Sequence, residues 1–147
     1  MDLDYNKLAE EIIKNLEKIE TIVLATYDCD HVTARTMNLV NNGLTIYFQT
    51  SKNSEKGKQI LRNNNVAMAI DNIQIEAFAM FTEDINEIEL CSIRFKEKFP
   101  RLYEKYVDFP EEPTVICKPY KFKLYKFIEG KLRFDILDIN ENKAYRI

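Results

Sequence analysis

Apolar residues first recur at helical spacing over residues 4–18, where Tyr5, Leu8, Ile12, Leu16 and Ile19 fall on one face. Asp4 stands where an N-cap belongs, and Lys14 and Lys18 suit the C-terminal end, so the segment is predicted to be an amphipathic helix docked on something larger. From Thr21 the period changes to two. Residues 21–27 read as a strand closed by the polar turn Asp28-Cys29-Asp30-His31, and residues 32–40 alternate again. Asn42-Gly43 follows as a hairpin signal, because both residues tolerate positive φ, and leads into a strand over residues 44–50.

Ser51-Lys52-Asn53 is a polar loop, and Ser54 is a good N-cap for a short helix over residues 55–62 that stops in Asn63-Asn64-Asn65. Residues 66–70 and 73–82 read as two strands around Asp71-Asn72. Helical spacing returns with Ile85, Ile88, Ser92, Phe95 and Phe99 until Pro100 interrupts, and a second short turn carries Leu102, Tyr103 and Tyr106. A loop over residues 108–113 precedes a long alternating strand, residues 115–127, in which Pro119 marks an edge or a bulge. Glu129-Gly130-Lys131 turns it into a last strand over residues 132–138.

About seven strands at short intervals with hairpin turns and peripheral helices predict a mainly β (α+β) fold, an antiparallel Greek-key barrel, and disfavour a parallel sheet. The length of 147 residues fits one domain spanning residues 1–147. The formal charge of -3 lacks the basic excess of a dedicated nucleic-acid binder. No apolar run approaches the roughly 20 residues that cross a bilayer, and the acidic start Met1-Asp2-Leu3-Asp4 is unlike a signal peptide, so a cytoplasmic protein is expected. Cys29, Cys91 and Cys117 form no Cys-x-x-Cys pair, which points to reduced thiols and away from a disulfide framework or a zinc site.

The three glycines, Gly43, Gly57 and Gly130, cannot spell a dinucleotide fingerprint or a P-loop. The single histidine, His31, reads as a solvated turn residue more readily than as a metal ligand. Lys118, Lys121, Lys123 and Lys126 interleave with Tyr120, Phe122, Tyr125 and Phe127, a text that strand alternation alone produces without any nucleic-acid surface. The informative stretch is residues 48–56. Hydroxyls and an amide at a strand end precede a helix N-terminus capped by Ser54, which gathers neutral donors and unpaired backbone N–H groups, and Lys52 and Lys56 add positive charge suited to a phosphate. An ordinary strand, loop and capped helix accounts for these residues equally well.

Residues 21–79 resemble the pyridoxamine-5'-phosphate-oxidase-like FMN-binding split-barrel family in order and residue type. The matching stretches are Val23-Leu24-Ala25-Thr26, then Ala34-Arg35-Thr36-Met37, Ile46-Tyr47-Phe48-Gln49-Thr50, Ser54-Glu55-Lys56, Gln59-Ile60 with Asn63-Asn64-Asn65-Val66-Ala67, and Ala77-Phe78-Ala79.

The resemblance implies a split β-barrel that binds FMN in a groove between the two barrels of a homodimer. Carried over residue by residue, it sets Arg35, Thr36 and Met37 along the ribityl chain and isoalloxazine, and Gln49 and Thr50 at the ring edge and phosphate side. Ser51, Ser54 and Lys56 would hold the phosphate together with Arg35. Two departures stand out: Val40 occupies the position five residues after Arg35 where the true oxidases often carry a basic residue, and the chain contains no Trp for their C-terminal substrate motif. The resemblance therefore implies a flavin-dependent oxidoreductase other than a true pyridoxamine phosphate oxidase, taking a small-molecule substrate or electron donor such as NAD(P)H. The alternative is a non-catalytic protein that binds or stores FMN or haem.

Overall fold

In the computed structural model, residues 1–106 and 112–147 are described, so most of the loop expected over residues 108–113 lies outside the described residues. Helix α1 (Tyr5–Lys18) starts at the expected cap, where Asp4 accepts the Lys7 N–H at 2.9 Å, and it buries Leu8, Ala9, Ile12 and Leu16. Strand β1 (Thr21–Asp28) turns through Cys29 and Asp30 into β2 (His31–Asn38). The single strand expected over residues 32–40 is in fact two. Leu39 ends the first of them, its N–H donating to Glu20 O at 2.9 Å in register with the β1–β2 ladder, and the chain resumes as β3 (Val40–Asn42). The physical reason is a slip in alternation: Leu39 enters the main core while Val40 turns to a second cluster with Tyr47, Cys91 and Ile116.

The next hairpin turns at Gly43 and Leu44, one residue later than Asn42-Gly43, with Gly43 at φ +60°. Strand β4 (Thr45–Gln49) leads to α2 (Glu55–Arg62), β5 (Asn65–Ile70) and β6 (Ile73–Phe81). Helix α3 (Ile85–Lys98) ends before Pro100 opens α4 (Pro100–Tyr106), and β7 (Thr114–Ile128), β8 (Lys131–Asp138) and β9 (Lys143–Arg146) complete the chain. Strand β9 is an element that the sequence pattern does not predict, because four residues behind a polar turn carry too little alternation.

Every ladder is antiparallel, in the order β2-β1-β5-β6-β7-β4-β3, with β8 and β9 continuing from β7. The two ends of that path, β2 and β3, are consecutive in the chain and separated only by Leu39, so the sheet curls round until its ends meet. That is the expected split barrel. Pro119 sits at a register shift between Glu76 and Ala77, where a strand tolerates a missing N–H. The barrel interior holds Ile22, Leu24, Ile46, Met68, Ile75, Phe122, Leu124 and Leu137, and α1 closes over it with Ile12 and Leu16. Among the described residues no helix is long and apolar enough to cross a membrane.

Candidate functional site

Along β1 the core-facing positions run Ile22, Leu24, Thr26, so the alternation puts a hydroxyl where an apolar residue is expected. Its partners explain it. On β2 the same face carries Thr33 and Arg35, and from α2 Gln59 reaches the same point, 5 % exposed. Arg35 Nη1 donates to Leu24 O at 3.2 Å and to Thr26 Oγ1 at 2.8 Å, and Nη2 donates to Thr33 Oγ1 at 2.5 Å. Both hydroxyls in turn donate to Gln59 Oε1, the one from Thr33 at 2.7 Å. Gln59 thus uses up both hydroxyl protons, which leaves the oxygen lone pairs of Thr26 and Thr33 facing the guanidinium. The result is an arginine fixed on three acceptors and directed at the first turn of α2, where Glu55 Oε1 lies 3.6 Å from Nη2. Burial lowers the Arg35 pKa and Glu55 works against that shift; the group stays a cation.

The start of α2 is built from the loop before it. Ser54 Oγ accepts the Gly57 N–H at 3.1 Å and donates to Ser51 O at 2.7 Å, so Thr50 Oγ1, 2.8 Å away, must be the donor in their contact. Gly57 is required here: a Cβ on it would stand 2.2 Å from Ser51 O. The cap leaves the N–H groups of Glu55 and Lys56 without intrahelical acceptors, on the turn whose Glu55 carboxylate lies beside Arg35.

The structure brings Arg35 together with the start of α2, and Thr50 and Ser51 together with Ser54. Lys56 is half-buried on the same turn, and Gln49 is exposed at the end of β4 beside Thr114. Lys52 lies over the Phe81 ring, its Nζ 5.4 Å from the centroid. Thr36 points to the opposite face of β2 from Arg35, exposed, and Met37 packs half-buried against the core. Val40 is buried against α3 in the second cluster, with Tyr47, Cys91 and Ile116. Thr26, Thr33 and Gln59 were missed as site residues by sequence reasoning, although a threonine on the apolar side of an alternating strand was the signal for them.

His31 stands at the tip of the β1–β2 turn, its side chain 77 % exposed and its Nδ1 3.1 Å from Asp30 Oδ1. A cleft of about 400 Å³ lies elsewhere, between the end of α1 and the β5–β6 turn, lined by Lys18, Glu20, Asp71 and Asn72 among others. The cationic stretch of β7 divides between uses within the fold: Lys126 pairs with Glu11 and Asp135, Lys123 covers the Phe134 ring at 4.3 Å, and Phe122 is core.

No protein-family model matches the sequence, and no curated protein does. Solved structures do match by fold. One is a candidate pyridoxamine 5'-phosphate oxidase from Listeria innocua, at TM-score 0.65 and 19% identity over 84% of this chain and 99% of that one. A protein related to general stress protein 26, of the pyridoxinephosphate oxidase family, from Clostridium acetobutylicum matches at TM-score 0.67 and 14% identity over 95% of this chain and 99% of that one. The haem storage protein HutZ from Vibrio cholerae matches at TM-score 0.62 and 16% identity over 76% of this chain and 89% of that one. The chain has the split-barrel fold of the pyridoxamine-5'-phosphate-oxidase-like proteins.

Proposed function

We propose that this chain binds FMN where β2 meets the start of α2, in a groove completed by a second copy, and works in the cytoplasm as a flavin-dependent oxidoreductase. The observation that carries the reading is Arg35, held on Leu24 O, Thr26 and Thr33 and directed at the capped first turn of α2. A guanidinium with a donor in reserve, two helix N–H groups without intrahelical acceptors and the Lys56 ammonium suit a phosphate monoester. The residues present fit that part of FMN.

Arg35 and Lys56 would hold the phosphate, with Ser54 and Thr50 fixing the turn that carries its backbone donors. Among the described residues strand β2 pairs with β1 alone, so its other backbone edge has no ladder partner, with Arg35 on one face of the strand and Thr36 on the other. Bound flavin supplies hydride or electron transfer, and the protein's part is binding, orientation and exclusion of water. The electron donor is NAD(P)H or another small molecule.

Support for a second copy comes from the outer face of the sheet. Val23, Tyr27, Val32, Phe78 and Met80 are exposed there, and Ala25 lies between Ala34 and Ala67 in a flat row of small residues. A patch of this kind on one face favours burial against another barrel.

Titration of the purified protein with FMN, followed by quenching of flavin fluorescence, tests the reading. Arg35→Ala is expected to weaken binding on the order of 100-fold, from the loss of charge-assisted hydrogen bonds. Equal affinity in both proteins rejects the site. The likeness to HutZ favours a second reading, haem binding, for which His31 is the sole imidazole. A haem spectrum that survives His31→Ala removes that ligand from consideration.

A further inference from the structure

The Arg35 guanidinium has five N–H donors. Two on Nη1 are taken by Leu24 O and Thr26, and one on Nη2 is taken by Thr33. Among the described residues the carboxylate partner of the guanidinium is Glu55, with Oε1 at 3.6 Å from Nη2. That is an ion pair without a hydrogen bond, since 3.6 Å exceeds hydrogen-bond range. The two partners also differ in how they are held: the Arg35 side chain is 22% exposed and fixed by three acceptors, whereas the Glu55 side chain is 70% exposed. One side of the pair is rigid and the other is free to leave. Glu55 is also the first residue of α2, so its carboxylate lies beside the same helix N–H groups that an incoming anion would use.

We propose that Glu55 is a built-in competitor for the anion position, resting against Arg35 in the free protein and displaced when a phosphate monoester enters. The proposal rests on the reading of Arg35 and the α2 turn as the phosphate site. A displaced Glu55 remains tethered one residue from the cap, near a group that carries almost two negative charges, and the repulsion sets affinity for dianions. Ligands without that charge are spared it. The residue therefore acts on specificity: it holds down general capture of phosphates and makes the site depend on the contacts that the rest of the ligand supplies.

The test compares wild type with Glu55→Gln, which keeps size and helix position and removes the charge. FMN, riboflavin and inorganic phosphate serve as probes, the first two by fluorescence and the last by shifts of the Arg35 side-chain NMR signals. Glu55→Gln is expected to tighten FMN and inorganic phosphate about 3- to 10-fold, the scale of a partly screened charge contact, and to leave riboflavin unchanged. A change in riboflavin equal to that in FMN marks a merely structural effect and overturns the proposal. So does unaltered or weaker phosphate binding in the variant, or no phosphate binding in either protein. If neither protein binds either flavin while phosphate binds the variant more tightly, Glu55 stands as proposed and the flavin reading alone falls.

Discussion

A few polar side chains placed on apolar faces decide the chemistry of this barrel. Gln59 is the clearest, because its one carbonyl oxygen takes both threonine protons and so turns two hydroxyls into acceptors for Arg35. Gln59→Leu frees those hydroxyls to rotate. It is expected to weaken FMN binding about 10-fold, the worth of about one net hydrogen bond to a charged group, while circular dichroism stays unchanged. Asp135 is the other instructive case, 1% exposed yet ionised between Arg146 at 2.6 and 2.9 Å and Lys126 at 2.9 Å. Burial pushes its carboxyl pKa up, but hydrogen bonds from Arg146 and Lys126 outweigh burial and leave it below the ordinary value. The stabilisation is therefore complete above about pH 4, the unfolded value, and is lost as pH falls through the folded one. Asp135→Ala is expected to cost about 3 kcal/mol in urea unfolding at neutral pH and to flatten the acid limb.

Individual elements were legible in the sequence wherever a local rule acted alone. Helix α2 runs over the expected residues because Ser54 caps it and three asparagines end it, and Asp71-Asn72 and Glu129-Gly130 turn where positive φ is tolerated, at 49°, 52° and 75° for Asp71, Glu129 and Gly130. The break at Leu39 was not legible, since it depends on Leu39 joining the main core while Val40 packs with Cys91 and Ile116, residues distant in the chain. The network around Arg35 was only half legible, because Thr26 and Thr33 sit on neighbouring strands near it while Gln59, which joins them, comes from a helix 26 residues beyond Thr33. Gly57 carries a prediction at this scale. A glycine inside a helix ordinarily costs about 1 kcal/mol against alanine, yet here Gly57→Ala should destabilise by about 2 kcal/mol, because the new Cβ must displace the carbonyl of Ser51. Thermal unfolding and FMN affinity should fall together; a stabilised variant would mean that the 51–54 loop does not pack as described.

At the scale of the whole molecule, the closed barrel puts the Arg35 cluster at an edge strand, and the outer face of β1, β2, β5 and β6 exposes Val23, Tyr27, Val32, Phe78 and Met80, where the proposal seats a second barrel. In the proposed reading a single chain presents the phosphate end of a groove, and the open cleft of about 400 Å³ lies apart from it at the other end of β1, beside Glu20 and Thr21. Flavin binding and pairing of chains are thus one claim about one surface. Native mass spectrometry of the purified protein tests that claim most directly. The account predicts a two-chain species carrying FMN, which appears as free FMN once the protein is denatured. A single chain without flavin, unchanged after FMN is added in excess, contradicts it.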